Sequence, residues 1–288
     1  MNIRSSILKW IHIVRPGTLA AGAAPVLIGL IVAAQERSFD WLIALVTLVA
    51  ALAIQIASNL INDYYDFKKG LDKAGRLGPR RAIAEGEVTP KAMKIAILID
   101  IAIALLCGTY LTLVGGLPIL IIGFVSLLCA WIYTATLYSL SYLGIADLFV
   151  LAFFGPIATL GTVYLQMEQF SEKAFWLGLV CGLISMGILT INNLRDFESD
   201  SQSGKKSIVV RFGKRFGEWE YLGLFLFIIP CLFMAHSTGF SYAVVAMGIW
   251  LFIRLRHTEG KAYNQLLIRT GQANLVFVLL YFLEYLIL

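Results

Sequence analysis

The sequence predicts an all-α integral membrane protein that crosses the bilayer about nine times. Three observations predict it. Hydrophobic residues make up 59% of the 288-residue chain and charged residues only 14%, where a soluble domain carries about 25% charged residues. The apolar residues gather in runs of about 17 to 22, long enough to cross a hydrocarbon core about 30 Å thick. The basic residues, finally, alternate between the gaps that separate those runs.

The runs fall at 17–35, 41–61, 94–114, 117–138, 143–165, 174–193, 219–236, 240–254 and 270–288. A buried core built from all of them would leave almost no polar surface to cover it, which excludes a water-soluble globule. Turn residues separate several runs: Gly115-Gly116 with Pro118, Ser141 to Gly144, and Ser237 to Ser241 around Gly239. The run 240–254 is the shortest. Residues 1–15 are basic and amphipathic and precede no small-residue cleavage site, so they read as an interfacial helix and not as a signal peptide.

Orientation follows from lysine and arginine. With the N-terminus inside, only Arg37 and Lys173 fall outside, leaving 21 of the 23 basic residues on the cytoplasmic side. A wrong span count would scramble this asymmetry. The net charge of +5 therefore reflects topology. It gives no nucleic-acid surface, because the basic residues sit beside acidic clusters and membrane spans.

Cys107, Cys129, Cys181 and Cys231 lie within apolar runs without CxxC spacing and read as small hydrophobic filler. His12, His236 and His257 are scattered and form no metal motif. The chemistry belongs in the two long polar loops after spans two and six.

Each loop opens on an acidic cluster. In Asn59-Leu60-Ile61-Asn62-Asp63-Tyr64-Tyr65-Asp66, continuation of the span-two helix puts Asn59, Asn62, Asp63 and Asp66 at offsets of three and four, on one face. In Asn192-Asn193-Leu194-Arg195-Asp196, with Asp200, the residues Asn193, Asp196 and Asp200 repeat at the same spacing. Stacked carboxylates near an apolar boundary repel one another and resist ionisation. A divalent cation removes that cost, and Mg²⁺ binds one or two carboxylates together with substrate phosphate oxygens. Basic residues nearby would neutralise the remaining phosphate charge. The pattern fits a lipid diphosphate, although the spacing alone also suits a transporter of an anionic lipid or a cation.

At these residues the chain resembles the UbiA superfamily of intramembrane aromatic prenyltransferases, and most closely its 1,4-dihydroxy-2-naphthoate branch. Asn62-Asp63 and Asp66 match the superfamily pattern NDxxDxxxD. Gly70 replaces its last acid, and Asp72 stands where the naphthoate branch carries one. Gly78-Pro79-Arg80-Arg81, Gly86-Glu87-Val88-Thr89 and Gly204-Lys205-Lys206-Ser207 are similar to that branch. So are Arg15-Pro16, Ala24-Pro25, Tyr142-Leu143-Gly144 and Phe154-Gly155-Pro156. Ser141 departs from it, standing where many relatives carry a basic residue.

The resemblance implies a nine-helix bundle around a central cavity, one prenyltransferase domain over residues 1–288. It implies transfer of a polyprenyl group from polyprenyl diphosphate to an aromatic acid, with loss of the acceptor carboxylate in the naphthoate branch; 4-hydroxybenzoate is the alternative acceptor. Asn62, Asp63, Asp66, Asn193, Asp196 and Asp200 are expected to hold Mg²⁺, in two ions bridged to diphosphate. Asp72 either joins them or holds the loop. Lys68, Arg81, Lys205 and Arg211 are expected on the diphosphate. Tyr64, Tyr65 and Tyr133 are placed beside the allylic cation. Arg15 is expected on the acceptor carboxylate, and Asp147 on an acceptor hydroxyl.

Overall fold

The computed structural model describes residues 3–36, 39–70, 77–78, 81–133, 135 and 144–287, with side chains from Lys9 onward. All regular structure among them is helical. Helix α1 (Ile3–Val14) leads into α2 (Pro16–Gln35) through Arg15, which takes the left-handed conformation (φ 59°, ψ 70°). That region costs a residue with a side chain about 1 kcal/mol, and Pro16 then starts α2 at the position where its missing N–H is harmless. Helix α3 (Trp41–Lys68) is capped by Asp40, whose carboxylate accepts the Ile43 N–H across 2.9 Å. Helix α4 runs from Pro90 to Ile132 behind the cap Thr89.

At 43 residues, α4 is roughly 65 Å long, twice what one crossing needs. It breaks at Gly116 (φ 66°, ψ −152°), two residues before Pro118. The break turns it into two crossings, as the Gly-Gly-Pro signal predicts. The fifth crossing, Ala146–Met167, is divided into α5 (Ala146–Phe153) and α6 (Pro156–Met167). A Cβ on Gly155 at this division would sit 2.4 Å from the Leu151 carbonyl and 2.8 Å from that of Gly178. Only glycine allows that approach to the following helix.

Helix α7 (Glu172–Arg195) is followed by two short helices, α8 (Phe197–Gln202) and α9 (Ile208–Phe212). Helices α10 (Lys214–Met234), α11 (Ala243–Leu255) and α12 (Tyr263–Ile287) complete the bundle. Seven helical segments have the length and hydropathy to cross a membrane. Counting α4 twice and adding the shorter Phe240–Leu255 gives nine crossings among the described residues. Several helices extend a turn or more beyond the apolar runs, because their charged ends lie past the hydrocarbon boundary where hydropathy carries no signal.

Burial sorts the helices. Helix α7 packs against α2, α5, α6, α10 and α12, and 72% of its apolar window is buried against 17% for α4. The α4 side chains Leu98, Leu106, Leu113 and Phe124 stand out from the bundle, as expected of a lipid-facing wall. This is a multi-pass membrane protein. Polar ties pin its crossings together. Asn59 donates to the Val14 carbonyl and to Thr18 Oγ1, Tyr221 and Thr270 share a hydrogen bond at 2.9 Å, and Glu284 accepts from Ser237 and from the Ser241 N–H.

Candidate active site

A cavity of about 710 Å³ opens between the helices. Asn59, Asn62 and Asp66 from the end of α3, and Asn192, Asn193, Asp196 and Asp200 from the end of α7 and from α8, all line it. The two acidic clusters therefore meet across one mouth. Deeper walls come from Pro25, Leu111, Ile119, Phe149, Phe153 and Leu189. The cavity is polar at one end and apolar along its length.

Helix α3 continues through the first cluster to Lys68. Its carboxylates are held by one guanidinium: Arg81 donates through Nη2 to Asn62 Oδ1 (2.8 Å) and Asp66 Oδ2 (2.6 Å), and through Nη1 to Asp63 Oδ1. Arg15 donates to the same Asp63 oxygen. Asp63 and Arg81 are almost wholly buried, so each neutralises a charge that would otherwise be costly there. Asp63 is thus placed behind the cavity wall, joining Arg15 and Arg81, while Asn62 and Asp66 face inward.

The second cluster is built differently from the expectation of one continuous helical face. Helix α7 ends at Arg195, and Asp196 (φ −94°, ψ 9°) is the joint between α7 and α8. Asp200 stays in register because its N–H donates to the Asp196 carbonyl across 2.8 Å. Arg195 grips Asp196 with two parallel bonds, Nε to Oδ1 (2.9 Å) and Nη2 to Oδ2 (2.6 Å), and also donates to Asn192 and Asn264. Lys205 pairs with Asp200 at 2.8 Å. Burial pushes the Asp200 carboxyl above the usual carboxylate range and neighbouring Asp196 adds to this, while Lys205 opposes it. Burial also lowers the Lys69 ammonium, with Asp66 opposing and Lys205 reinforcing. The basic ends of the two loops therefore lie within electrostatic reach of each other.

Residues 23–278 match the model of the UbiA prenyltransferase family. The chain belongs to this family. It is 34% identical to the 1,4-dihydroxy-2-naphthoate octaprenyltransferase of Escherichia coli K12, with 96% of this chain and 95% of that protein covered. It is equally similar, 34%, to the Mycobacterium tuberculosis protein of the same name over 76% of this chain and 75% of that one. Among solved structures, a UbiA homologue from Archaeoglobus fulgidus bound to DMAPP and Mg²⁺ superposes with a TM-score of 0.64 at 14% identity, covering 97% of this chain and all of that one. That likeness bears on the fold.

Against the UbiA expectations, the structure brings Arg15, Arg81, Lys205, Tyr133 and Asp147 to the cavity wall. Asp147 opens α5 and is buried, and its Oδ1 finds no hydrogen-bond partner among the described residues. Tyr133, just past the end of α4, lies close enough to Asp147, Asp66 and Asp200 to feel all three charges. Four expected contacts lie elsewhere, among them Tyr65, whose ring meets Trp131 edge-on. Lys68 is exposed, with its ammonium 5.9 Å from the Tyr65 ring. Tyr64 packs toward Lys94 and the cluster containing Ile61 and Ile83. Arg211 holds the Lys206 carbonyl from its Nε across 2.8 Å and does not line the cavity. Asp72 lies outside the described residues.

Helical spacing assigns no role to Arg195, Asn192 or Asn264. The signal for Arg195 was its position beside Asp196 at an apolar helix end, where an unpaired guanidinium would be costly.

Proposed function

We propose that the protein transfers a polyprenyl group from its diphosphate to 1,4-dihydroxy-2-naphthoate, releasing diphosphate and CO₂ on the way to demethylmenaquinone. The observation that carries this reading is the meeting of two acidic helix ends over one apolar cavity. The similarity to proteins named for that reaction over most of the chain supports the acceptor. One domain, spanning residues 1–288, performs it, with the mouth on the cytoplasmic side, a placement that the basic asymmetry supports.

The site's donors fit Mg²⁺. Asn62, Asp66, Asn193, Asp196 and Asp200 offer hard oxygen atoms from two sides, and the burial and the neighbouring Asp196 charge that raise Asp200 would be offset by a cation. Mg²⁺ needs only one or two carboxylates when phosphate oxygens and water complete its shell. Asn62, Asp66, Asn193, Asp196 and Asp200 would hold Mg²⁺, which would supply charge stabilisation to a departing diphosphate.

The chain's own residues do the rest. Arg81 and Lys205 are already at the wall and can exchange a carboxylate for a phosphate oxygen. Asp63 keeps Arg15 and Arg81 aimed at the mouth. The apolar walls exclude water from the allylic cation formed when the C–O bond breaks, and the Tyr133 ring offers it a cation–π face. Arg15 orients the acceptor carboxylate, and Asp147 accepts the proton of an acceptor hydroxyl. The ring carbon that bears the carboxylate then bonds to the prenyl carbon, the carboxylate leaves as CO₂ with its electron pair returned to the ring, and Asp147 gives the proton back to the ring oxygen.

The test is a purified protein supplied with one polyprenyl diphosphate and a panel of aromatic acids. Naphthoate should give a prenylated, decarboxylated product with one diphosphate released per turnover. Preference for 4-hydroxybenzoate would overturn the acceptor. Cation transport without diphosphate release would overturn the enzyme.

A further inference from the structure

Helices α11 and α12 carry a basic feature at the mouth side of the bundle that the proposed reaction does not use. The guanidinium carbons of Arg254 and Arg269 each lie 5.3 Å from the centroid of one ring, that of Trp250. Among the described residues, neither guanidinium has a carboxylate within ion-pair distance or a hydrogen-bond acceptor. This sets them apart from Arg15, Arg81 and Arg195, each of which is committed to an aspartate.

Two guanidinium groups stacked on one indole, with no acid paired to either, make a basic patch that attracts an anion. The surroundings say which anion. Trp250 is 41% exposed and lies one helical turn from Arg254, at the end of an apolar crossing where headgroups sit. Ile249 and Ile253 on α11 and Ile268 on α12 are exposed beside it. The patch thus offers guanidinium donors for a phosphate with an apolar surface alongside. A free phosphate would use only the first part.

We propose that Trp250, Arg254 and Arg269 bind one anionic phospholipid, its phosphate taken by the guanidinium donors and its acyl chains along Ile249, Ile253 and Ile268. The site stands apart from the acidic mouth and does not depend on the reaction assigned to it.

Native mass spectrometry of the protein released from bilayers of equal parts phosphatidylcholine and phosphatidylglycerol tests this. Wild type should retain phosphatidylglycerol in preference to phosphatidylcholine, and R254Q/R269Q should lower that retention about ten-fold, the scale of lost charge-assisted bonds. R256Q, which removes an exposed charge outside the indole pair, should retain as much as wild type. Trp250→Leu keeps both charges and should weaken retention several-fold, so the site stays testable if the double variant does not fold. Unchanged retention in R254Q/R269Q would overturn the proposal. An equal loss in R256Q would overturn it too, since diffuse attraction would then suffice. Displacement of the lipid by millimolar inorganic phosphate would reassign the patch to a soluble anion.

Discussion

Arg195 Nη1 donates to Asn264 Oδ1 across 2.9 Å, and Asn264 in turn donates through Nδ2 to the Leu77 carbonyl across 2.8 Å. One amide on the last helix thus couples the second acidic cluster to the loop that follows the first. The spacing between the clusters is set partly by a residue that belongs to neither.

Asn264→Ala should therefore act on substrate binding more than on chemistry. Loss of a hydrogen bond to a charged group is worth about 1.5 kcal/mol, so the KM for prenyl diphosphate should rise about ten-fold with kcat nearly constant. Asn264→Asp keeps the acceptor for Arg195 and should fall between the two. Initial rates against prenyl diphosphate measure both. An equal fall in kcat with no change in KM would remove the positioning role.

Asp66 and Asp196 face each other's clusters across the mouth. Asp66→Ala and Asp196→Ala should each lower prenyl transfer by about a thousand-fold or more, as expected when charge stabilisation of a leaving group is lost. Diphosphate release by folded protein in proteoliposomes is the measurement. Near wild-type turnover in either variant would end the metal assignment.

Chelation should give the same result reversibly. Excess EDTA should stop diphosphate release, and added Mg²⁺ should restore it. The magnesium dependence should become shallower in Asp200→Asn.

Arg81 is the shared partner of Asn62, Asp63 and Asp66. Arg81→Ala takes the guanidinium from Asp66 and leaves Asp63 to Arg15, and should destabilise the fold by about 3 kcal/mol. Arg81→Lys keeps the charge, loses the fork and should cost less. Thermal melting in detergent with prenyl diphosphate absent isolates this from substrate binding.

Gly144 has φ 73°, and a Cβ placed on it would sit 2.0 Å from the Lys206 carbonyl oxygen. Gly144→Ala must push back the segment that holds Lys205 and Arg211. Helix content by circular dichroism should be unchanged, while the KM for prenyl diphosphate rises. An unaltered KM would mean that this contact does not set the loop.

Much of this site could be read from the chain. Asn62 and Asp66 are four residues apart, which on a continuing α3 places them about 40° from each other around the helix axis. The same arithmetic excludes Lys68 and Tyr64. Each is two residues from Asp66, about 200° around the axis, and each does lie away from the cavity. Spacing could not reveal Arg81, because its partners are 15 to 19 residues earlier and are met only through the folding of a loop. The joint at Asp196 was hidden for another reason. A residue that leaves helical geometry while its i+4 hydrogen bond survives keeps the periodicity of an unbroken helix.

The α4 residues Leu105, Leu113, Leu120 and Phe124 line the cavity and are also among the exposed apolar side chains. A wall shared by the reaction chamber and the surrounding oil leaves the long donor partly dissolved in the bilayer while it reacts. The effective concentration of such a donor is its mole fraction among the lipids. Diluting proteoliposomes with buffer should leave turnover unchanged, while diluting the donor with inert lipid should slow it.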